Sequence, residues 1–281
     1  MDRNSPEYYN ETTEESISST LQFVERIKAL DSDLITAILT PRFVPSCTPE
    51  LMQFLGKLAK KESLPIQSHL SETPAELLWV KELHPKIQNY SSVYREYGLL
   101  TSNTIMAHCV HLSKQERDML RDIGTSISHC PSSNFCLSSG VLNVRRLIDE
   151  GHTKIGLGTD VAGGYSPSIL DAIRQSIIAS QTVFINSRDS QETSPGSQYL
   201  PLNFKEAFYL ATLGGAKCMN LDTKLGNFIP GKIFDAVFVD TTGIDIFDHD
   251  DPMSIFEKFV YLADDRNVNE VFVNGKSVFQ A

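Results

Sequence analysis

The 281-residue chain predicts an α/β protein in which a parallel sheet, open or barrel-shaped, is followed by a smaller β region. Helical and strand-like segments alternate from near the start, giving five βα-type units in a row. An apolar fraction of 41% with 21% charged residues is ordinary globular composition, sufficient for a sizeable core. The polar residues with chemical potential recur where a strand-like run hands over to a loop, the C-terminal face on which parallel α/β folds place their chemistry.

Taken in order, Thr12 with Glu15 reads as a capping box, and the helix behind it is expected to bury Ile17, Leu21, Val24 and Ile27. The apolar run Leu34–Leu39 is expected to be a strand ending in Thr40-Pro41-Arg42-Phe43. Thr48-Pro49 starts a helix with Leu51, Leu55, Leu58 and Ala59 on one face. Leu64–His69, Thr104–His108, Thr125–His129 and Lys154–Gly158 are the next strands, each a short apolar run. Helices over Pro74–Leu83, from Ser113 to a stop at Gly124, and through Val144–Ile148 connect them. Longer helices are expected over Ser168–Asn186 and Phe204–Met219, and the polar stretch Ser187–Gln198 between them is expected to be disordered. Beyond residue 220, Gly231–Val239 and Val268–Phe279 read as strands, the latter folded at an Asn274-Gly275 hairpin turn.

A net charge of −10 argues against a general nucleic-acid or anionic-membrane surface, though not against binding a single nucleobase. Five cysteines without regular spacing fit reduced thiols in a cytosolic protein. The polar, acidic start carries no secretory signal, and no stretch approaches a membrane span. The expectation is a soluble, cytoplasmic protein that binds neither nucleic acid nor membrane.

Ser68-His69-Leu70-Ser71-Glu72 offers an imidazole and a carboxylate at His-x-x-Glu spacing. His69 can ligate zinc while Glu72 acts as general acid/base on bound water; the plain alternative is a surface histidine and a helix-capping glutamate. Asp160, ahead of Gly163-Gly164, either ligates a metal and takes a proton from its water or N-caps a turn. His108 is a ligand or a partner of bound water or substrate. Its pairing with His111 is discounted, because residues three apart on a strand face opposite ways. His129 reads as a loop histidine satisfied by hydrogen bonds. Arg42 and Phe43 suit a planar, carbonyl-bearing heterocycle, or Arg42 makes a surface salt bridge. No His-Glu-x-x-His, phosphate-binding loop, Gly-x-Ser-x-Gly elbow or Pro-Cys-x-x-Cys occurs.

With Pro41-Arg42-Phe43, Gln67–Glu72, Met106-Ala107-His108, His129–Asn134, Gly158–Gly164 and Leu262–Asn267 laid side by side, the chain resembles the guanine deaminases of the amidohydrolase superfamily along nearly its whole length. The resemblance implies a (β/α)8 TIM barrel with one zinc ion per subunit, a smaller β-sandwich and a homodimer. It places His69 and Asp160 among the zinc ligands, Glu72 as proton shuttle, His108 beside the reacting water, and Arg42 and Phe43 on the guanine. His69, Glu72 and Asp160 are implied to contact the substrate as well. The implied reaction is hydrolytic deamination of guanine to xanthine and ammonia.

One feature of the family is missing: no His-x-His pair occurs. The chain is therefore expected to start near the fourth barrel strand. Residues 1–220 would supply about strands 4–8, and residues 221–281 the C-terminal part of the sandwich. Such a chain is expected to hold zinc weakly and to be inactive alone unless association completes the site. The alternatives are a related amidohydrolase acting on another aminated heterocycle, and a non-catalytic fragment or isoform that binds a partner.

Overall fold

The computed structural model describes residues 1–189 and 199–281. Helix α1 (Thr13–Ala29) opens with the expected capping box: Thr12 Oγ1 accepts from Glu15 N at 3.1 Å and Glu15 Oε2 from Thr12 N at 2.8 Å. Its buried stripe is narrower than the periodicity predicts, for Val24 is buried whereas Leu21 is 42% exposed. Helix α2 (Pro49–Glu62) is capped by Thr48 and buries Leu51, Leu55, Leu58 and Ala59 as expected.

The central sheet is built from β1 (Ile66–Leu70), helices α3 (Pro74–Leu83) and α4 (Tyr90–Glu96), β2 (Thr104–His108), α5 (Lys114–Ile123), β3 (Ser126–His129), α6 (Pro131–Cys136), α7 (Val144–Asp149) and β4 (Ile155–Leu157). Its four strands are parallel and lie in chain order, with Leu70 opposite His108, Met106 opposite Ile127 and His129 opposite Leu157. Sequential order with helical crossovers brings all four C-terminal strand ends to one edge, which is where the chemistry collects. Ile66, Leu70, Met106, Ile127 and Ile155 form the centre of the main core.

The strand expected over Leu34–Leu39 is reduced to a single bridge between Leu39 and Ile66. Pro41 has no N–H to continue the ladder. The pairing then slips by one residue, and His69 N donates to Arg42 O at 3.0 Å where a regular parallel ladder would use Pro41 O. That slip holds the Arg42 carbonyl over His69.

Helix α8 (Ile169–Asp189) matches its expected span. Residues 187–189 of the stretch expected to be disordered are helical within it, and residues 190–198 fall outside the described residues. The helix expected over Phe204–Met219 is α9 (Phe204–Tyr209), a π-helical turn Leu210–Gly214 and α10 (Gly215–Cys218). Here Gly214 lies so close to β4 that an added Cβ would stand 2.6 Å from Ile155 O. In the last part, β5 (Ala236–Val239) is shorter than the expected Gly231–Val239. Helix α11 (Pro252–Leu262), absent from the elements expected above, packs Phe256, Phe259 and Val260 against α8 and α9. Strands β6 (Val268–Val273) and β7 (Lys276–Gln280) join β5 in an antiparallel sheet. Positive φ at both Asn274 (50°) and Gly275 (73°) makes the expected hairpin turn. Among the described residues, no helix is long and apolar enough to cross a membrane.

Candidate active site

Three strand ends of the parallel sheet leave regular geometry through left-handed backbone at non-glycine residues: Ser71 (φ 52°), His108 (φ 68°) and Asp160 (φ 47°). Such conformations are unfavourable for L-residues and persist where surrounding structure holds them, commonly at functional sites. At His108 the consequence is specific. His69 stands opposite Ala107, so strict alternation would point His69 and His108 to opposite faces. The left-handed turn takes the His108 side chain out of that alternation, and its ring stacks on His69 with centroids 5.1 Å apart and planes at 24°.

The Nδ1 atom of His69 lies 2.7 Å from Arg42 O. A carbonyl only accepts, so Nδ1 carries the proton and Nε2 is left with a free lone pair. This is the arrangement by which proteins orient a metal-binding imidazole. Burial holds the His69 pKa below the usual histidine value, His108 adding to the effect, which keeps the ring neutral. Below it, Tyr94 donates to His69 O at 2.7 Å, and Ser68 donates to Pro41 O at 2.6 Å.

His108 is almost wholly buried, and its Nδ1 meets Asn134 Oδ1 at 2.9 Å. Its Nε2 has no hydrogen-bond partner among the described residues and lies 3.8 Å from Glu72 Oε2 and 3.9 Å from Asp160 Oδ2. Ligand atoms of His69, His108 and Asp160 all come within 4.8 Å of one another. Two imidazole nitrogens and a carboxylate oxygen, with a buried nitrogen left unpaired, fit a zinc ion, whose catalytic sites use three protein ligands and an open position. His108 thus lies beside the His69 and Asp160 pair, close enough for either role the sequence leaves open to it, ligand or partner of the bound water.

Glu72 does not cap a helix. The capping box of α3 is made by Thr73 and Glu76, and Glu76 also accepts from Glu72 N at 2.7 Å. The Glu72 carboxylate is free to turn to the cluster: Ser139 Oγ donates to Oε1 at 2.8 Å, and Oε2 faces His108. Gly163 and Gly164 fold the next loop tightly over Asp160. A Cβ on Gly163 would stand 2.7 Å from Asp160 Oδ2, and one on Gly164 2.3 Å from Thr159 O. Their role is thus close approach of the loop to the aspartate.

The other candidates separate. Arg42 is exposed, with no hydrogen bond or ion pair from its guanidinium among the described residues, which removes the salt-bridge reading. Phe43 packs edge-on against Trp79 at 6.0 Å. His111 turns away from the cluster and donates from Nε2 to Ser139 O at 2.7 Å, in line with its discounted pairing. His129 is not satisfied by hydrogen bonds as the sequence suggested. It is fully buried, neither ring nitrogen has a partner among the described residues, and burial pushes its pKa down to about 3. Burial pushes the Cys130 thiol up to about 12 and Cys109 well above its ordinary value. A cavity of about 380 Å³ between α3, α4 and α5 contains none of the cluster residues. Sequence reasoning missed Ser139, Asn134, Glu76 and Tyr94. The one visible cue was the proline-started Pro131-Ser132-Ser133-Asn134 directly after a strand.

With this geometry in place, the comparisons with known proteins bear on the whole chain. The profile of the amidohydrolase family matches residues 1–278. A guanine deaminase of Dictyostelium discoideum is 50% identical over 282 residues, an alignment covering 99% of this chain and 60% of that protein. The crystal structure of a guanine deaminase from C. acetobutylicum with guanine in its active site superposes with a TM-score of 0.91 at 38% identity, over 99% of this chain and 64% of that one. An adenosine deaminase from Xanthomonas campestris with bound zinc shares the fold at 21% identity and a TM-score of 0.82, over 98% and 58% of the two chains. The chain thus spans about 60% of the length of the curated relatives it matches. Matched over residues 1–278 by the family profile, and carrying a histidine–aspartate cluster at the C-terminal edge of a parallel sheet, the chain belongs to the amidohydrolase family.

Proposed function

We propose that this chain carries the chemistry of a zinc-dependent guanine deaminase, converting guanine and water to xanthine and ammonia. The observation that supports it best is the convergence of His69, His108 and Asp160 within 4.8 Å, with Glu72 beside them, in a chain half identical to a guanine deaminase. His69 Nε2 and Asp160 would hold one zinc per subunit, with His108 Nε2 alongside. Zinc, when bound, acts as a Lewis acid and brings the pKa of its water close to neutrality.

The chain's own groups then have distinct tasks. Asp160 and Glu72 take up the protons that water loses on adding to the amine-bearing carbon. Glu72, through Oε2, delivers its proton to the adjacent ring nitrogen, and the proton taken by Asp160 passes to the departing amine, which leaves as ammonia. The His108 ring fixes the position of the attacking oxygen. Arg42 and Phe43 clamp the purine by its carbonyl and its face.

In this reading the parallel sheet with its helices is a section of a (β/α)8 barrel formed by residues 1–220, residues 221–281 form a second small domain, and the working unit is a cytoplasmic homodimer. The test is Glu72→Gln assayed for zinc content and xanthine release. Retained zinc with turnover reduced about 10²–10⁴-fold is expected of a lost proton shuttle. Near-normal turnover would refute the assignment.

A further inference from the structure

Asn134 lies on the short helix α6, which plays no direct part in the chemistry above, yet its side chain is 2% exposed and directed at the site. Its Oδ1 meets His108 Nδ1 at 2.9 Å across 26 residues of chain. An amide oxygen only accepts, so this contact requires the proton on Nδ1 and, in the neutral ring, leaves Nε2 bare, facing two carboxylate oxygens at 3.8 and 3.9 Å. Three acceptors converging without a donor would repel one another unless a cation or a water proton lies between them.

The segment carrying Asn134 is itself held from three sides. Ser139 N donates to Asn134 O at 2.9 Å, closing the turn after α6. Ser139 Oγ reaches Glu72, and His111 Nε2 donates to Ser139 O. Gly140, at φ 127°, presses the turn onto His111, where a Cβ would meet Val110 Cγ1 at 2.9 Å and the His111 ring at 3.3 Å.

We propose that Asn134 is a positioning residue that locks His108 as its Nδ1–H tautomer with Nε2 presented to the His69–Asp160 pair. The proposed deaminase reading supplies only its effect on rate; the tautomer stands apart from it.

The test is a two-bond proton–nitrogen correlation spectrum of the ¹⁵N-histidine-labelled 281-residue chain at pH 8. The expected result is His108 protonated at Nδ1 and not at Nε2, with His111 showing the opposite pattern. Asn134→Leu abolishes the single tautomer of His108, whereas Asn134→Asp, which keeps an acceptor, preserves it. In turnover, Asn134→Leu lowers kcat by about 10–100-fold with KM little changed, and Asn134→Asp recovers part of the loss. A wild-type His108 protonated at Nε2, or an unchanged tautomer in Asn134→Leu, overturns the proposal. The wild-type spectrum decides even where Asn134→Leu does not fold. A chain that binds zinc and does not turn over guanine removes the catalytic reading, and the histidine pattern then decides the role of Asn134 on its own.

Discussion

His129 makes stability depend on pH in a way that one substitution removes. Its ring is fully buried without partners among the described residues, and burial pushes its pKa down to about 3, against about 6.5 in an unfolded chain. The sign follows from proton counting. Below pH 6.5 the unfolded chain binds a proton that the folded chain refuses, so stability is present in full above that value and is lost as pH falls towards 3. Each pH unit in that window costs about 1.4 kcal/mol, so the fall from 6.5 to 5.0 removes about 2 kcal/mol. The assay is urea unfolding of the wild type and His129→Asn at pH 7.5 and pH 5.0. The wild type should lose about 2 kcal/mol more than the variant over this interval. With a slope of about 2–3 kcal/mol/M, that is a difference of about 0.7–1 M in midpoint. Equal pH dependence in the two proteins would refute the reasoning, for it would mean that the ring titrates normally when folded.

Two further outcomes follow from the packing and the site. Gly56, inside α2, sits against the chain after α4, where a Cβ would stand 2.0 Å from Tyr97 O; Gly56→Ala should cost about 3 kcal/mol and lower Tm by several degrees in a thermal scan. An unchanged Tm would show that the two segments separate freely. Arg42→Ala should raise KM for guanine, or lower turnover, without changing zinc content by elemental analysis. Loss of metal in that variant would contradict its role as a substrate clamp.

Local signals in the sequence were sufficient where one residue pair decides an element. Thr12 with Glu15, Ser113 with Glu116, and Asn274-Gly275 each carry their partner within three residues, and each forms as expected. Gly124 closes α5 at φ 78°, as a helix-ending glycine does. The failures come from longer range. Leu34–Leu39 has the composition of a strand, but Pro41 ends its ladder after one bridge, and nothing in the run itself shows that its neighbour will slip. Helix α11 is legible in Asp251-Pro252 and the spacing of Phe256, Phe259 and Val260, a weaker signal than the hairpin turn that follows it.

At the site, the motif residues were legible through resemblance, and their supports were not. The Ser139 contact with Glu72 spans 67 residues, and the Asn134 contact with His108 spans 26. No spacing rule connects side chains that meet only when parallel strands bring their ends together. The inclusion of His108 in the donor cluster likewise depends on a backbone torsion that alternation along β2 would not suggest.

The measurement closest to the centre of this account is zinc content and guanine turnover determined on the same purified 281-residue chain. The account predicts near-stoichiometric zinc, lost in His69→Ala and Asp160→Ala, together with release of xanthine and ammonia. A folded chain that takes up no zinc and releases no xanthine would contradict it.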